Sequence, residues 1–155
     1  MASSTFNLSK QLQSAIDRTS FDESAKKRVC NPEYIFDFAK LKTAHIIFKN
    51  TYFSQCEKDK KIKVKTCHEC NLGKWIDSNE DKAFAQTPEW DELKAIHARV
   101  HHMVQDTVDL YKEGYANGQI ISVTENLEKN IDKIFIALDN LREKNCDIQF
   151  ENERA

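Results

Sequence analysis

Residues that interrupt helices are scarce in this sequence: its 155 residues include three glycines and two prolines. So few breakers argue against a loop-rich chain and for long helices. Charge of one sign is also lacking, since 23 Lys and Arg face 25 Asp and Glu for a net charge of −2. That balance leaves no electrostatic footprint for a nucleic-acid partner. The one basic run, Lys58, Lys60, Lys61, Lys63 and Lys65, reads as a solvated linker. No apolar stretch approaches the ~20 residues that span a bilayer. The N-terminus has no apolar signal-peptide core. These absences predict a cytoplasmic protein with no membrane partner. Cysteine is present, but its five positions are odd in number and irregularly spaced. In a reducing compartment that argues against a disulfide framework and for metal binding or thiol chemistry.

What is there is helical periodicity. The length suggests one domain, able to bury roughly 70% of its unfolded-chain surface. Leu8, Leu12, Ala15 and Ile16 recur at helical steps in a first segment, followed by the polar linker "DRTSFDESAKKR". Asn31 and Pro32 form a start signal for a long helix, with Ile35, Phe38, Leu41, His45, Phe48 and Tyr52 on one stripe. Thr87 and Pro88 form a second, with Trp90, Leu93, His97, Val100, Val104 and Tyr111 on the next stripe. Asn117-Gly118 reads as a turn. Ser122 with Glu125 has capping-box spacing ahead of Leu127, Ile131, Ile134, Leu138 and Leu141. The predicted fold is all-α: an antiparallel four-helix bundle, an additional N-terminal helix, and a long loop or short helix between Gln55 and Pro88. The predicted organisation is an N-terminal helix and linker over 1–30, a bundle over 31–141 and a polar tail over 142–155.

The long loop contains "KTCHECNLGKWIDSN", residues 65–79. Two cysteines and a histidine fall within four positions. His97 and His101 are four apart on one helix and project from the same face. His45 sits mid-stripe on a facing helix, and Cys70 belongs to a loop that must fold back over the bundle. A lone histidine in an apolar stripe is ordinarily a hydrogen-bonded core residue. An i,i+4 pair, however, is a ready bidentate clamp, and three imidazoles plus a thiolate form a tetrahedral, borderline-soft set of the kind zinc prefers. Glu92, Asp106 or backbone groups are candidates to hold the second imidazole nitrogens. His68 and His102 read as surface residues. Cys30, Cys56 and Cys146 read as small apolar side chains or surface thiols. Cys67-x-x-Cys70 has redox spacing, but no βαβ pattern surrounds it. Gly73 reads as a site of positive φ or of close backbone approach. Trp75 and Trp90 read as core anchors. Di-iron bundles use Glu-x-x-His pairs, which are not found here.

These residues resemble the chemoreceptor zinc-binding domain of bacteria. The resemblance rests on His45-Ile-Ile-Phe48, Cys70-Asn-Leu-Gly-Lys-Trp75 and His97-Ala-Arg-Val-His101, with "FAQTPEWDEL" and "FDFAKLKTAHIIFKN" similar as well. It spans about residues 33–112. It implies a four-helix bundle holding one Zn²⁺ through His45, Cys70, His97 and His101, commonly as a homodimer, attached to a chemoreceptor signalling or diguanylate cyclase output partner. It implies a sensory role, with Cys70 the redox-sensing residue where hypochlorous acid is the signal. Two departures are Ile76, where an aromatic often follows the Trp, and Cys67, a second thiol able to pair with an oxidised Cys70. A site filled by four protein ligands has no open position for hydrolysis, so no enzymatic activity is expected. A zinc-level sensor and a structural zinc-stapled dimerisation domain are the alternatives.

Overall fold

The computed structural model describes residues 2–18, 32–56, 62–114 and 117–154. The expected linker over 17–28, the cap at Asn31 and the basic positions Lys58, Lys60 and Lys61 fall wholly or mostly outside these. The described residues form helices α1 (Ala2–Asp17), α2 (Pro32–Cys56), α3 (Asn71–Asp77), α4 (Pro88–Glu113) and α5 (Asn117–Arg154), with one 3₁₀ turn (Ala83–Gln86) before α4. No strand occurs among them, and the fold is an all-α bundle. No helix among them is long and apolar enough to cross a membrane.

The stripes assemble the core. Phe38, Leu41, His45 and Tyr52 are buried from α2, and Trp90, Leu93, His97, Val100, His101, Val104 and Val108 from α4. Leu127, Ile131, Ile134, Leu138 and Leu141 close it from α5. Ion pairs set the direction of α5: Lys42 meets Asp139 at 2.6 Å, and Lys49, further along α2, meets Glu128, earlier on α5. The two helices therefore run antiparallel. Helix α1 packs on α2. Among its described side chains Ser9 is buried, while Leu8 and Leu12 are 66% and 51% exposed, so these two leucines of its apolar stripe face outward.

Several boundaries depart from the sequence reading. The turn between α4 and α5 is made by Gly114, in the left-handed region at φ 74°, whose N–H caps the Leu110 and Tyr111 carbonyls. Asn117 and Gly118 are instead the first residues of α5. Helix α5 begins before Ser122 and continues through Arg154, along nearly the whole segment 142–155 expected as a polar tail. Asn145 is buried and Ile148 packs on the core, so tertiary contacts hold the extra turns. Pro88 opens α4 as expected, but Thr87 does not cap with its side chain. Its hydroxyl donates to the Phe84 carbonyl at 2.7 Å, tying the 3₁₀ turn to the helix start. Tyr111, expected on the α4 stripe, is 37% exposed. Cys146 is disulfide-bonded rather than a small apolar group or surface thiol. Linear spacing carries no information about which distant segments meet. Cys67 and Cys70 are free thiols.

Candidate metal centre

Three elements place four donors. His45 comes from the middle of α2, His97 and His101 from one face of α4, and Cys70 from the turn ahead of α3. All four are buried, and their ligand atoms lie within 4.8 Å of one another. A tetrahedral zinc site with bonds of about 2.3 Å to sulfur and about 2.0–2.1 Å to nitrogen separates its donors by about 3.3–3.6 Å. The Cys70 Sγ to His97 Nε2 distance is 3.1 Å, close to that separation. The imidazole pairs 45–97 and 97–101 have centroids 5.0 and 4.8 Å apart.

On His45 and His101 the other ring nitrogen is held by backbone, and that orients these two rings. His101 Nδ1 meets the Lys65 carbonyl at 2.8 Å. A carbonyl only accepts, so Nδ1 carries the proton and Nε2 presents a lone pair. His45 is hydrogen-bonded to the Leu41 carbonyl one turn back. The Nε2 atoms of both rings are buried and have no hydrogen-bond partner among the described residues. An unpaired buried polar atom is costly and rare. Two of them facing a thiol and a third imidazole are what a divalent cation would satisfy, so the residues present fit the ion. Backbone carbonyls, rather than Glu92 or Asp106, serve as outer partners, and both carboxylates are exposed.

Electrostatics agree with a site that disfavours protons. Burial, then the neighbouring imidazoles, hold His97 down at about 2. Burial, then His101, hold His45 at about 4. Burial also lowers His101. All three rings are therefore neutral near pH 7, the form that binds metal. Burial pushes the Cys70 thiol up, against the N–H groups of Gly73 and Leu72.

A strap brings Cys70 to the bundle. Residues 62–66 have no regular secondary structure and are pinned to α4 and α2, with the Val64 N–H donating to Gln105 Oε1 at 3.0 Å and the Lys65 N–H to the Tyr52 hydroxyl at 3.0 Å. The Thr66 N–H and hydroxyl both donate to Glu69 at 2.8 Å, which turns the chain. Cys70 then caps α3, its Sγ accepting the Gly73 N–H at 3.3 Å. Gly73 does not have positive φ; the left-handed glycine among the described residues is Gly114. Its role is close approach, because a Cβ there would stand 1.7 Å from the Cys67 carbonyl oxygen. Trp75 lies in an aromatic cluster with Phe38, Phe84 and Trp90 at centroid distances of 5.5, 6.1 and 5.6 Å, which anchors α3 to the core. Ile76, the departure after the Trp, is buried in that core.

His68 is exposed and pairs with Asp77 at 3.0 Å, outside the donor set. His102 is exposed, one step round α4 from His101. Cys67 is half-buried and free. Sequence reasoning missed Tyr52 and Gln105 as the residues that pin the strap, and the Leu41 and Lys65 carbonyls as the groups that set the tautomers.

No curated protein and no solved structure gives a significant match to the chain. A family model does match, over residues 45–108, a span that opens on His45, closes on Val108 and contains all four donors. This family is zinc-binding, regulatory and sensory, and is not catalytic by itself. The segment that builds the donor cluster is thus similar to the chemoreceptor zinc-binding domain, the family whose model it matches.

Proposed function

We propose that the chain is a zinc-binding sensory unit of chemotaxis-type signalling, that His45, Cys70, His97 and His101 are its zinc ligands, and that Cys70 responds to a strong oxidant such as hypochlorous acid. The observation that carries this reading is the pair of orphaned, buried Nε2 atoms on His45 and His101 turned toward a thiol and a third neutral imidazole. Bound zinc keeps a coordinating cysteine deprotonated at neutral pH, and thiolate character governs oxidation. The protein's own residues do the rest. The Leu41 and Lys65 carbonyls hold the rings, and the Gly73 N–H holds the sulfur. Phe48 covers one side, its ring 4.3 Å from that of His101.

Cys70 is the donor that joins the strap to the bundle. Oxidation to a sulfenate weakens it as a donor, and the strap over 62–70 then keeps its hydrogen bonds to Gln105 and Tyr52 but loses its anchor at Cys70 to the donor cluster. The resulting relaxation reaches the surface through α2, on which α1 packs. The outward stripe of Leu8 and Leu12 on α1 supports a homodimer, or contact with a chemoreceptor or cyclase output module. The test compares wild type and Cys70→Ala before and after hypochlorous acid, reading hydrogen exchange across 62–77. Faster exchange in the wild type alone is expected; an identical response in the variant removes the oxidant role. A zinc-level sensor is the second reading, supported by the same donor set without the thiol chemistry. It requires an affinity within the range of ordinary zinc fluctuations, which competition against a chelator measures. A structural zinc staple requires instead that metal removal dissociate the dimer without any response to oxidant.

A further inference from the structure

The first cysteine of the Cys67-His68-Glu69-Cys70 turn, Cys67, is free, half-buried and unused by the donor cluster. It is also close to Cys70. The Cys70 sulfur lies 3.6 Å from the Cys67 carbonyl oxygen. Residues three apart in a turn have Cα atoms within about 7 Å, and a disulfide spans about 4.4–6.8 Å. Cys67 further lines a cleft of about 250 Å³ together with His68, Gly73, Asp77 and His97. His97 Nε2 is the atom 3.1 Å from the Cys70 sulfur, so the cleft that exposes Cys67 ends against the donor cluster. Cys56 is buried at the end of α2, where its sulfur donates to the Phe53 carbonyl. Among the described cysteines, Cys67 thus combines solvent access, chain proximity to Cys70 and a free sulfur.

We propose that Cys67 is the resolving thiol of Cys70, and that oxidation of this site ends in a reversible Cys67–Cys70 disulfide. This rests on the reading that Cys70 is the oxidant-sensitive group. In the first step the Cys70 thiolate takes oxygen from hypochlorous acid, giving Cys70 sulfenic acid and chloride. In the second, the Cys67 thiolate attacks the Cys70 sulfur. An S–S bond forms, the S–O bond breaks, and the departing hydroxide accepts the proton that Cys67 released, leaving water. The disulfide takes Cys70 out of the donor set and bars its further oxidation to the irreversible sulfinic acid. Two equivalents of a small thiol reverse it, returning both cysteines and leaving that thiol oxidised. The signal becomes a latch that a small thiol resets.

The experiment uses the full chain loaded with zinc, one equivalent of hypochlorous acid, then alkylation and peptide mass mapping, which separates residues 65–74 from the disulfide at Cys146. In the wild type, that peptide is expected to lose two hydrogens and resist alkylation. Zinc is released, and dithiothreitol restores both the thiols and zinc binding. Cys67→Ser and Cys67→Ala, which leave the donor set intact, are expected to release zinc as readily. Their Cys70 gains one and then two oxygens, and zinc binding no longer recovers fully. A wild-type peptide carrying oxidised Cys70 beside an alkylated Cys67, or equal recovery in the variants, overturns the resolving role while leaving Cys70 as sensor. Unmodified Cys70 and retained zinc in all three proteins overturn the oxidant reading and the latch with it.

Discussion

Adding one methyl group at Gly73 tests the idea that tight backbone packing aims the Cys70 sulfur. Gly73 lies in α3, where replacing glycine by alanine ordinarily stabilises by about 0.5–1 kcal/mol. Here the sign should reverse. The new Cβ would stand 1.7 Å from the Cys67 oxygen, 2.7 Å from the Cys67 carbonyl carbon and 2.9 Å from the His68 Cα, all backbone atoms that no rotamer change can clear. Real Cβ contacts essentially never fall below 3.0 Å, so the turn must retreat by about 1.3 Å or more. Metal–ligand distances tolerate about ±0.2 Å. A displacement several times larger, passed to Cys70 three residues away, takes its sulfur out of bonding range unless the whole turn is rebuilt. We expect Gly73→Ala to lower stability by about 2–3 kcal/mol, the scale of overpacking a filled site. Zinc affinity should fall by at least about tenfold, as when groups that orient ligands are disturbed. Gly118→Ala is the control, since a Cβ there meets nothing within 4 Å. Denaturant titration and chelator competition read both quantities. Unchanged zinc affinity and a stability gain in Gly73→Ala like that of Gly118→Ala would refute the reasoning.

Acid should destabilise the protein in the presence of chelator. His45 has its folded value at about 4 against an ordinary 6.5. Because the folded value is the lower one, the unfolded chain binds more protons between these limits. Stability is therefore complete above pH 6.5 and is lost as pH falls towards 4, by about 3 kcal/mol from this ring alone; urea titrations at several pH values that show a flat profile would contradict it. Gln105→Leu removes the acceptor for the Val64 N–H and should lower stability by about 1 kcal/mol while raising amide exchange at Val64, with zinc affinity reduced less than in Gly73→Ala. Trp90→Ala empties the centre of the aromatic cluster at a residue 1% exposed and should lower stability by about 3–5 kcal/mol, read by chemical denaturation.

How much of this was legible in the sequence depends on whether the signal was periodic or tertiary. The imidazoles of His45, His97 and His101 were readable because a 3.6-residue period assigns each to a buried stripe, and all three are buried. Cys70 was readable as a thiol in a long loop that must fold back over the bundle, and from the family resemblance carried by Cys70-Asn-Leu-Gly-Lys-Trp75. The outer partners were not, because the groups that hold His45 and His101 are the carbonyls of Leu41 and Lys65, and every residue type offers the same carbonyl. Nor were Tyr52 and Gln105, which look like ordinary helix positions until the strap lies over them. Gly73 shows the distinction at one residue. Glycine signals either positive φ or the absence of a Cβ, and the composition cannot say which; here the carbonyl of Cys67 occupies the place of the missing methyl. The turn at Gly114 failed for a related reason, since Gly114 and Gly118 are both plausible breaks and the choice is made by where α5 can begin to bury Ile120 against the bundle. The parts of the site that were invisible are thus the contacts that backbone atoms make, whether as acceptors for His45 and His101 or as donors to Tyr52 and Gln105. They fix tautomer and register, so a chain with the same four donors and a shifted strap would keep the ligands and lose the preorganised lone pairs that make them a site.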